Sequence, residues 1–402
     1  MAAEVSRRDV VAFRLGAHHL LERASGDEPG STGLLDTAGR CGIQDSPPGS
    51  ALLALHARVA GVTRERVDTA VAEDKALLRT WSLRGAPYVV PTRDAPVFTT
   101  GVLPPTEEAM RQVVLGAGPS LDRLGMSLTE TVGLCRAEVA DVLHGRRLDV
   151  GELGAGLAAR VAARLPPARR AVWDEEGPYA AGQPLGEGVV HFCLRILALQ
   201  GVVCFAPRSG NRSPFVLVSE WLGRALPGAR PEDARAELLR RYLRCYGPST
   251  RADFAAWVGV RAGDVGPWWD LVADELEPVG VDGRAAWARA VDLDALRSAP
   301  MPRGVRLLPP GDPYTQARDR GTIVEASRHR DVWRTVGSPG TVLVDGEIAG
   351  TWRPRKSGRR LTVSVATFGG LRERDAAALR AEADQVATLR GASSAVVEID
   401  DA

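Results

Sequence analysis

Leu77-Leu78-Arg79-Thr80-Trp81-Ser82-Leu83 and Tyr88-Val89-Val90-Pro91 read as two short strands joined through Arg84-Gly85-Ala86-Pro87. Branched and aromatic residues favour the pleated arms, and Gly85 with Pro87 punctuates the bend. Helical stretches stand upstream of this hairpin. Residues 6–24 make an amphipathic helix with Ser6 as N-cap and Val10, Val11, Phe13, Leu15 and Leu20-Leu21 on the apolar face. After a break at Gly30–Gly33 come Leu34–Gln44 and Ala51–Val59, and Thr63-Arg64-Glu65-Arg66 opens a further segment, Val67–Asp74.

The same order, helices and then a hairpin, recurs twice. Leu128–Leu143, a short helix starting at Val150-Gly151-Glu152-Leu153, and Glu187–Gln200 precede strands at 201–205 and 214–218, with Arg208-Ser209-Gly210-Asn211-Arg212 at the tip. A third set begins at Pro231-Glu232-Asp233. It holds a helix over Arg235–Tyr246, the turn Gly247-Pro248-Ser249, Thr250 as cap of Arg251–Val258, a segment 268–276, and strands near 276–281 and 285–290. Three helices followed by a hairpin is the order of a winged helix, so three tandem units are expected.

Past Pro302 the pattern turns to strands: Val305–Leu308, Gly340–Val344, Ile348–Trp352 and Leu361–Val365, with Asp345-Gly346 and Ser357-Gly358 as turns. A helix over Leu371–Leu389 and a strand over Ser394–Ile399 close the chain. The fold class is therefore α+β, with a C-terminal β-rich, barrel-like domain. Segments 104–108, 165–168 and 299–303 are polar or Pro-bearing and mark boundaries. The expected domains are 1–108, 109–228, 229–301 and 302–402.

Composition excludes several classes. A chain of 402 residues with 45% hydrophobic and 25% charged residues has the makeup of a globular protein with a sizeable core. No apolar run reaches membrane length and the start lacks a signal-peptide core, so a cytoplasmic protein without membrane contact is expected. Five scattered cysteines without CxxC spacing read as reduced and buried; the six histidines form no metal-binding pattern. Neither metal nor cofactor is expected. Lysine occurs only at Lys75 and Lys356 among 51 basic residues, while the net charge is +1. A GC-rich bacterial genome accounts for the overall bias toward arginine. The planar guanidinium also suits phosphate contacts, and a neutral total still allows a basic cleft.

Chemistry concentrates at Gln44-Asp45-Ser46, a polar triplet between apolar Leu34-Leu35 and Leu52-Leu53-Ala54-Leu55. Three hydrogen-bonding side chains at the mouth of a hydrophobic bundle are costly without a partner, a water or a ligand. Asp45 and Ser46 have a second reading as helix caps ahead of Pro47-Pro48. The densest cationic run, Arg353-Pro354-Arg355-Lys356-Ser357-Gly358-Arg359-Arg360, sits on a hairpin and suits phosphate or minor-groove contact; a solvated hairpin is the plainer reading. Arg208, Arg212 and Arg84 are weaker candidates for the same role. Trp81, Trp257, Trp268, Trp269 and Trp352 read as packing residues.

An ordered set of stretches resembles the winged-helix DNA glycosylase superfamily typified by AlkZ and YcaQ. These are Gly42-Ile43-Gln44; Arg79-Thr80-Trp81-Ser82-Leu83-Arg84-Gly85; Arg241-Tyr242-Leu243 through Gly247-Pro248-Ser249-Thr250 to Phe254-Ala255-Ala256-Trp257; Leu307-Leu308-Pro309 with Asp312-Pro313-Tyr314; and Leu343-Val344-Asp345-Gly346 to Gly350-Thr351-Trp352-Arg353. The resemblance implies three tandem winged helices and a β-rich domain around a concave DNA-binding surface. It also implies excision of bulky N7-alkylated purines, unhooking of interstrand crosslinks, and in some members self-resistance to a DNA-alkylating product. The expected partner is double-stranded DNA carrying such adducts, bound by a monomer at the bacterial nucleoid.

The family's catalytic signature runs Gln, an apolar residue, then Gln or Asp. Gln44 matches its first position; Asp45 and Ser46 depart at the second and third. Tyr88 stands where relatives often carry His. The resemblance assigns catalysis to Gln44; by side-chain chemistry Ser46 offers a shorter second acceptor, and Asp45, the ionisable member, a base and electrostatic stabiliser. The competing class is a non-catalytic winged-helix protein that sequesters damage or regulates transcription, because winged helices are usually binding modules.

Overall fold

The computed structural model describes residues 3–25, 32–210 and 212–401. Gly30 of the expected break and Asn211 of the second hairpin tip lie outside them. The chain packs into two compact units: 1–67 with 239–254 and 272–402, and 68–238 with 255–271. Among the described residues no helix is long and apolar enough to cross a membrane.

The first unit opens with a strand that the sequence pattern does not reveal. Ala3–Val5 lies parallel to Leu276–Val281, pairing Ala3 with Val279 and Val5 with Val281, and Leu276–Val281 forms a hairpin with Arg284–Arg289. Ser6 and Asp9 then form a reciprocal capping box that starts the helix Arg7–Ala17. Val10 and Phe13 on that helix pack with Val5, Val279, Val281, Ala286, Ala288 and Leu296. The helix ends well before residue 24, because His19 adopts a left-handed φ of 55°.

Next comes the helix Thr32–Cys41, a two-residue strand Ile43–Gln44 and the helix Ser50–His56. Gln44 was expected on the end of a helix. Gly42, at φ 71°, stops that helix first and turns the chain into extended backbone. Gly33, expected in a break, already lies inside the helix.

The C-terminal strands form one sheet in the order Ser394–Asp401, Arg360–Thr367, Glu347–Ser357, Gly340–Val344, Val305–Leu308. Among the described residues no pairing joins its first strand to its last, so the sheet is open rather than the barrel-like form expected. The helix Glu373–Leu389 links Arg360–Thr367 to its parallel neighbour Ser394–Asp401. A parallel pair needs such a crossover, and Leu379, Ala383 and Val386 bury its apolar face.

The second unit holds the helices Leu128–Leu143, Val150–Ala162 and Leu185–Leu199. Its strands run in the order Pro87–Pro91, Leu77–Trp81, Val203–Phe205, Phe215–Leu217. The helix expected to be short at Val150 runs on to Ala162, opened by a second capping box between Asp149 and Glu152. Residues 165–168, expected to be a linker, instead lead into the helix Pro167–Asp174, with proline at its start. Trp81 packs edge-on to Phe205 at 5.2 Å and tilted against Phe215 at 5.0 Å, the packing role expected for it. Trp257, Trp268, Trp269 and Trp352 are buried as well.

Candidate active site

Extended backbone sends successive side chains to opposite sides, and that decides the triplet's geometry. Ile43 and Asp45 are buried, Gln44 is half-buried and Ser46 is exposed. Gln44 and Ser46 therefore share the solvent side while Asp45 turns inward. Gln44 Nε2 donates to the Ser46 carbonyl at 3.2 Å. With the NH₂ held there, the amide oxygen Oε1 is the end left to accept.

Asp45 Oδ1 accepts from the backbone N–H of Gly49 at 2.8 Å and of Ala51 at 3.3 Å. Gly49 sits at the cap of helix Ser50–His56 and has no side chain to satisfy the helix's first donors. Asp45 supplies that acceptor from four residues upstream. These two contacts are those of a helix cap.

A buried polar floor lies under the triplet. Gly311, at φ 72°, sits so close that a Cβ built there would fall 3.0 Å from Gln44 Nε2 and 3.0 Å from the Ser46 carbonyl oxygen. The next residue, Asp312, is fully buried and receives both arms of Arg58, at 2.8 and 2.6 Å. Asp312 also accepts from the Tyr314 backbone N–H at 2.9 Å, while Tyr246 Oη donates to the Pro313 carbonyl at 2.8 Å. His18 stands edge-on to both Tyr246 and Tyr314. Arg14 donates to the carbonyls of Gly247 and Pro248 and forms a bidentate pair with Asp319 at 2.9 and 2.8 Å. Burial alone would push the Asp319 carboxyl up, but the Arg14 guanidinium and the Thr322 hydroxyl hold it below the usual range.

The stretches around Gln44, Tyr242–Thr250 and Leu307–Tyr314 thus meet in one unit. Sequence reading found these pieces without their common purpose, and it missed Arg14, Arg58 and Gly311. A signal for the arginines was present: each interrupts an apolar run, in Ala12-Phe13-Arg14-Leu15 and Ala57-Arg58-Val59.

One group of metal-ligating atoms occurs among the described residues: a ring nitrogen of His18 and the sulfurs of Cys41 and Cys245 lie within 4.8 Å of one another, all buried. His18 Nδ1 faces Cys41 Sγ at 3.8 Å, and Cys245 Sγ donates to the Arg40 carbonyl at 3.8 Å. The neighbouring Cys245 sulfur, with His18 and Arg58 adding to it, pulls the Cys41 thiol down against burial. Each thiol already has a protein partner.

The candidate DNA-contacting cations fall into two groups. Arg353, Arg355, Lys356, Arg359 and Arg360 are exposed on the hairpin of Glu347–Ser357 and Arg360–Thr367, in the first unit. Arg353 donates to the Gly337 carbonyl at 2.6 Å and Lys356 to the Arg390 carbonyl at 3.1 Å. Arg355, Arg359 and Arg360 face no carboxylate among the described residues. Arg84, Arg208 and Arg212 belong to the second unit. Arg84 is tied to the Trp257 carbonyl, and Arg212 lies 3.7 Å from Asp149.

Comparison with known proteins accords with this geometry. The family description "DNA glycosylase AlkZ-like" matches residues 38–389. An interstrand DNA cross-link repair glycosylase of Streptomyces sahachiroi is 29% identical over 359 residues, spanning 87% of this chain and 88% of that protein. The solved structure of the Streptomyces sahachiroi DNA glycosylase AlkZ superposes with a TM-score of 0.73 at 26% identity, covering 99% of this chain and 100% of the other. With the matched region reaching from just ahead of the triplet to the end of the last helix, the chain belongs to the AlkZ-like DNA glycosylases and is a glycosidic-bond-cleaving enzyme.

Proposed function

We propose that this DNA glycosylase excises bulky N7-alkylated purines from double-stranded DNA, unhooks interstrand crosslinks built on them, and acts as a monomer protecting a producer from its own genotoxic product. The full-length likeness to a cross-link repair glycosylase supports the substrate class. The three helix-and-hairpin sets are proposed to be winged helices at 1–108, 109–228 and 229–301, with Arg353, Arg355, Lys356, Arg359 and Arg360 of segment 302–402 and Arg208, Arg212 and Arg84 as DNA contacts.

The chemistry follows from the substrate's charge. An N7-alkylguanine is already cationic, so the electron pair of the C1′–N9 bond leaves with a base that becomes neutral. No strong general acid is required. The enzyme must hold a water against C1′ and tolerate an oxocarbenium-like sugar. Gln44 Oε1 accepts one hydrogen of that water, and Ser46 Oγ, on the same side, takes the second acceptor's place. The water's oxygen bonds to C1′ and its proton passes to solvent. Asp45 holds the turn by capping Ser50–His56.

The observation that carries this reading is the Gln44–Ser46 hydrogen bond, because it orients the amide with its acceptor end free. Incubation with duplex DNA bearing a bulky N7-guanine adduct tests it. Release of the free modified base, leaving a heat-labile abasic site, is expected; tight binding without release would make the protein a sequesterer.

A further inference from the structure

We infer that Gly311 is a positioning residue for catalysis: the absence of its side chain lets the Gln44 amide lie in its working orientation. The inference rests on the role proposed for Gln44. The Cβ that any other residue would carry falls 3.0 Å from each partner of the Gln44–Ser46 hydrogen bond, and 3.4 Å from Gln44 Cδ. Both contacts are tighter than ordinary packing by a few tenths of an ångström, and the Gln44 amide, at the end of a side chain, gives more readily than the Ser46 backbone oxygen.

The loop cannot retreat either. Asp312 follows directly, held at 2.8 and 2.6 Å by the buried Arg58 guanidinium, which also donates to the Ala54 carbonyl at 2.9 Å. Arg58 stands just beyond the helix Ser50–His56 that Asp45 caps. Strand Val305–Leu308 fixes the other side of the loop through its pairing with Gly340–Val344. Triplet and glycine are thus gripped from both sides, and a displacement is relieved mainly through the Gln44 side chain.

A double-mutant cycle on the full chain tests this, read by single-turnover excision of an N7-alkylguanine and by duplex-DNA affinity. Gly311→Ala should slow excision by about threefold or more, since the amide must give by a few tenths of an ångström and a misplacement of about 1 Å can cost about a hundredfold. Affinity should stay within about twofold. In a Gln44→Ala background the same change should cost clearly less than in the parent, since only the contact with the Ser46 carbonyl remains. Gly283→Ala is the control for backbone strain: Gly283 has φ 80° in the same unit but open space around its Cβ position, so its excision rate should stay at the parent value. Equal slowing by Gly311→Ala in both backgrounds, or equal slowing by Gly283→Ala, overturns the inference. A Gln44→Ala variant as fast as the parent instead overturns the proposed role of Gln44 itself.

Discussion

Arg58 and Asp312 form a fully buried bidentate ion pair, at 1% and 0% side-chain exposure, that ties the end of the helix after the Gln44–Ser46 turn to the loop carrying Gly311. Removing one partner leaves the other charged and unpaired in the interior. Asp312→Ala is expected to lower unfolding free energy by about 3–5 kcal/mol in urea denaturation. A loss below about 1 kcal/mol would mean that the pair carries little of the fold.

Asp45 separates capping from base catalysis. Asp45→Asn keeps an oxygen for the Gly49 and Ala51 amides and should excise within about threefold of the parent, given the similar capping strengths of Asn and Asp. Asp45→Ala should cost about 1 kcal/mol of stability. A hundredfold slower Asp45→Asn, on the order of what loss of a general base brings, would show the carboxylate acting as one.

The hairpin makes an electrostatic prediction. Arg355, Arg359 and Arg360 are exposed and face no carboxylate among the described residues. If each meets a phosphate, the triple alanine variant should flatten the slope of log affinity against log salt by about 2–3. An unchanged slope would return the run to a solvated turn.

Acid stability should follow two histidines. Burial, with nearby arginines adding to it, pushes His19 down to about 4 and His56 down to about 4, the latter despite Glu382. An unfolded histidine titrates near ~6.5, so between there and about 4 the unfolded chain binds more protons. The stability from keeping both rings neutral is fully present above ~6.5 and falls as pH drops toward 4. Thermal unfolding across this window should show a declining Tm, and His56→Gln should reduce the decline. A flat Tm from pH 7 to 4.5 would contradict these shifts.

These cases show where sequence carried information and where it did not. Periodicity and caps located Leu128–Leu143, Arg251–Val258 after Thr250, and the strands of the C-terminal hairpin, because those signals are local. The Ala3–Val5 strand was invisible, since its partner Leu276–Val281 lies most of the chain away. Gln44 was legible as chemistry but was placed on a helix, which Gly42 ends before Gln44 is reached. Gly311, in Pro309-Pro310-Gly311-Asp312, reads locally as no more than a turn residue. Its importance arises only from what packs against it.

Single-turnover excision of an N7-alkylguanine by Gln44→Ala, measured beside its DNA affinity, tests the central claim most directly. The account predicts excision slowed by about a hundredfold or more with affinity within about twofold, as expected when a group acting only in the transition state is removed. An excision rate equal to the parent's would contradict it.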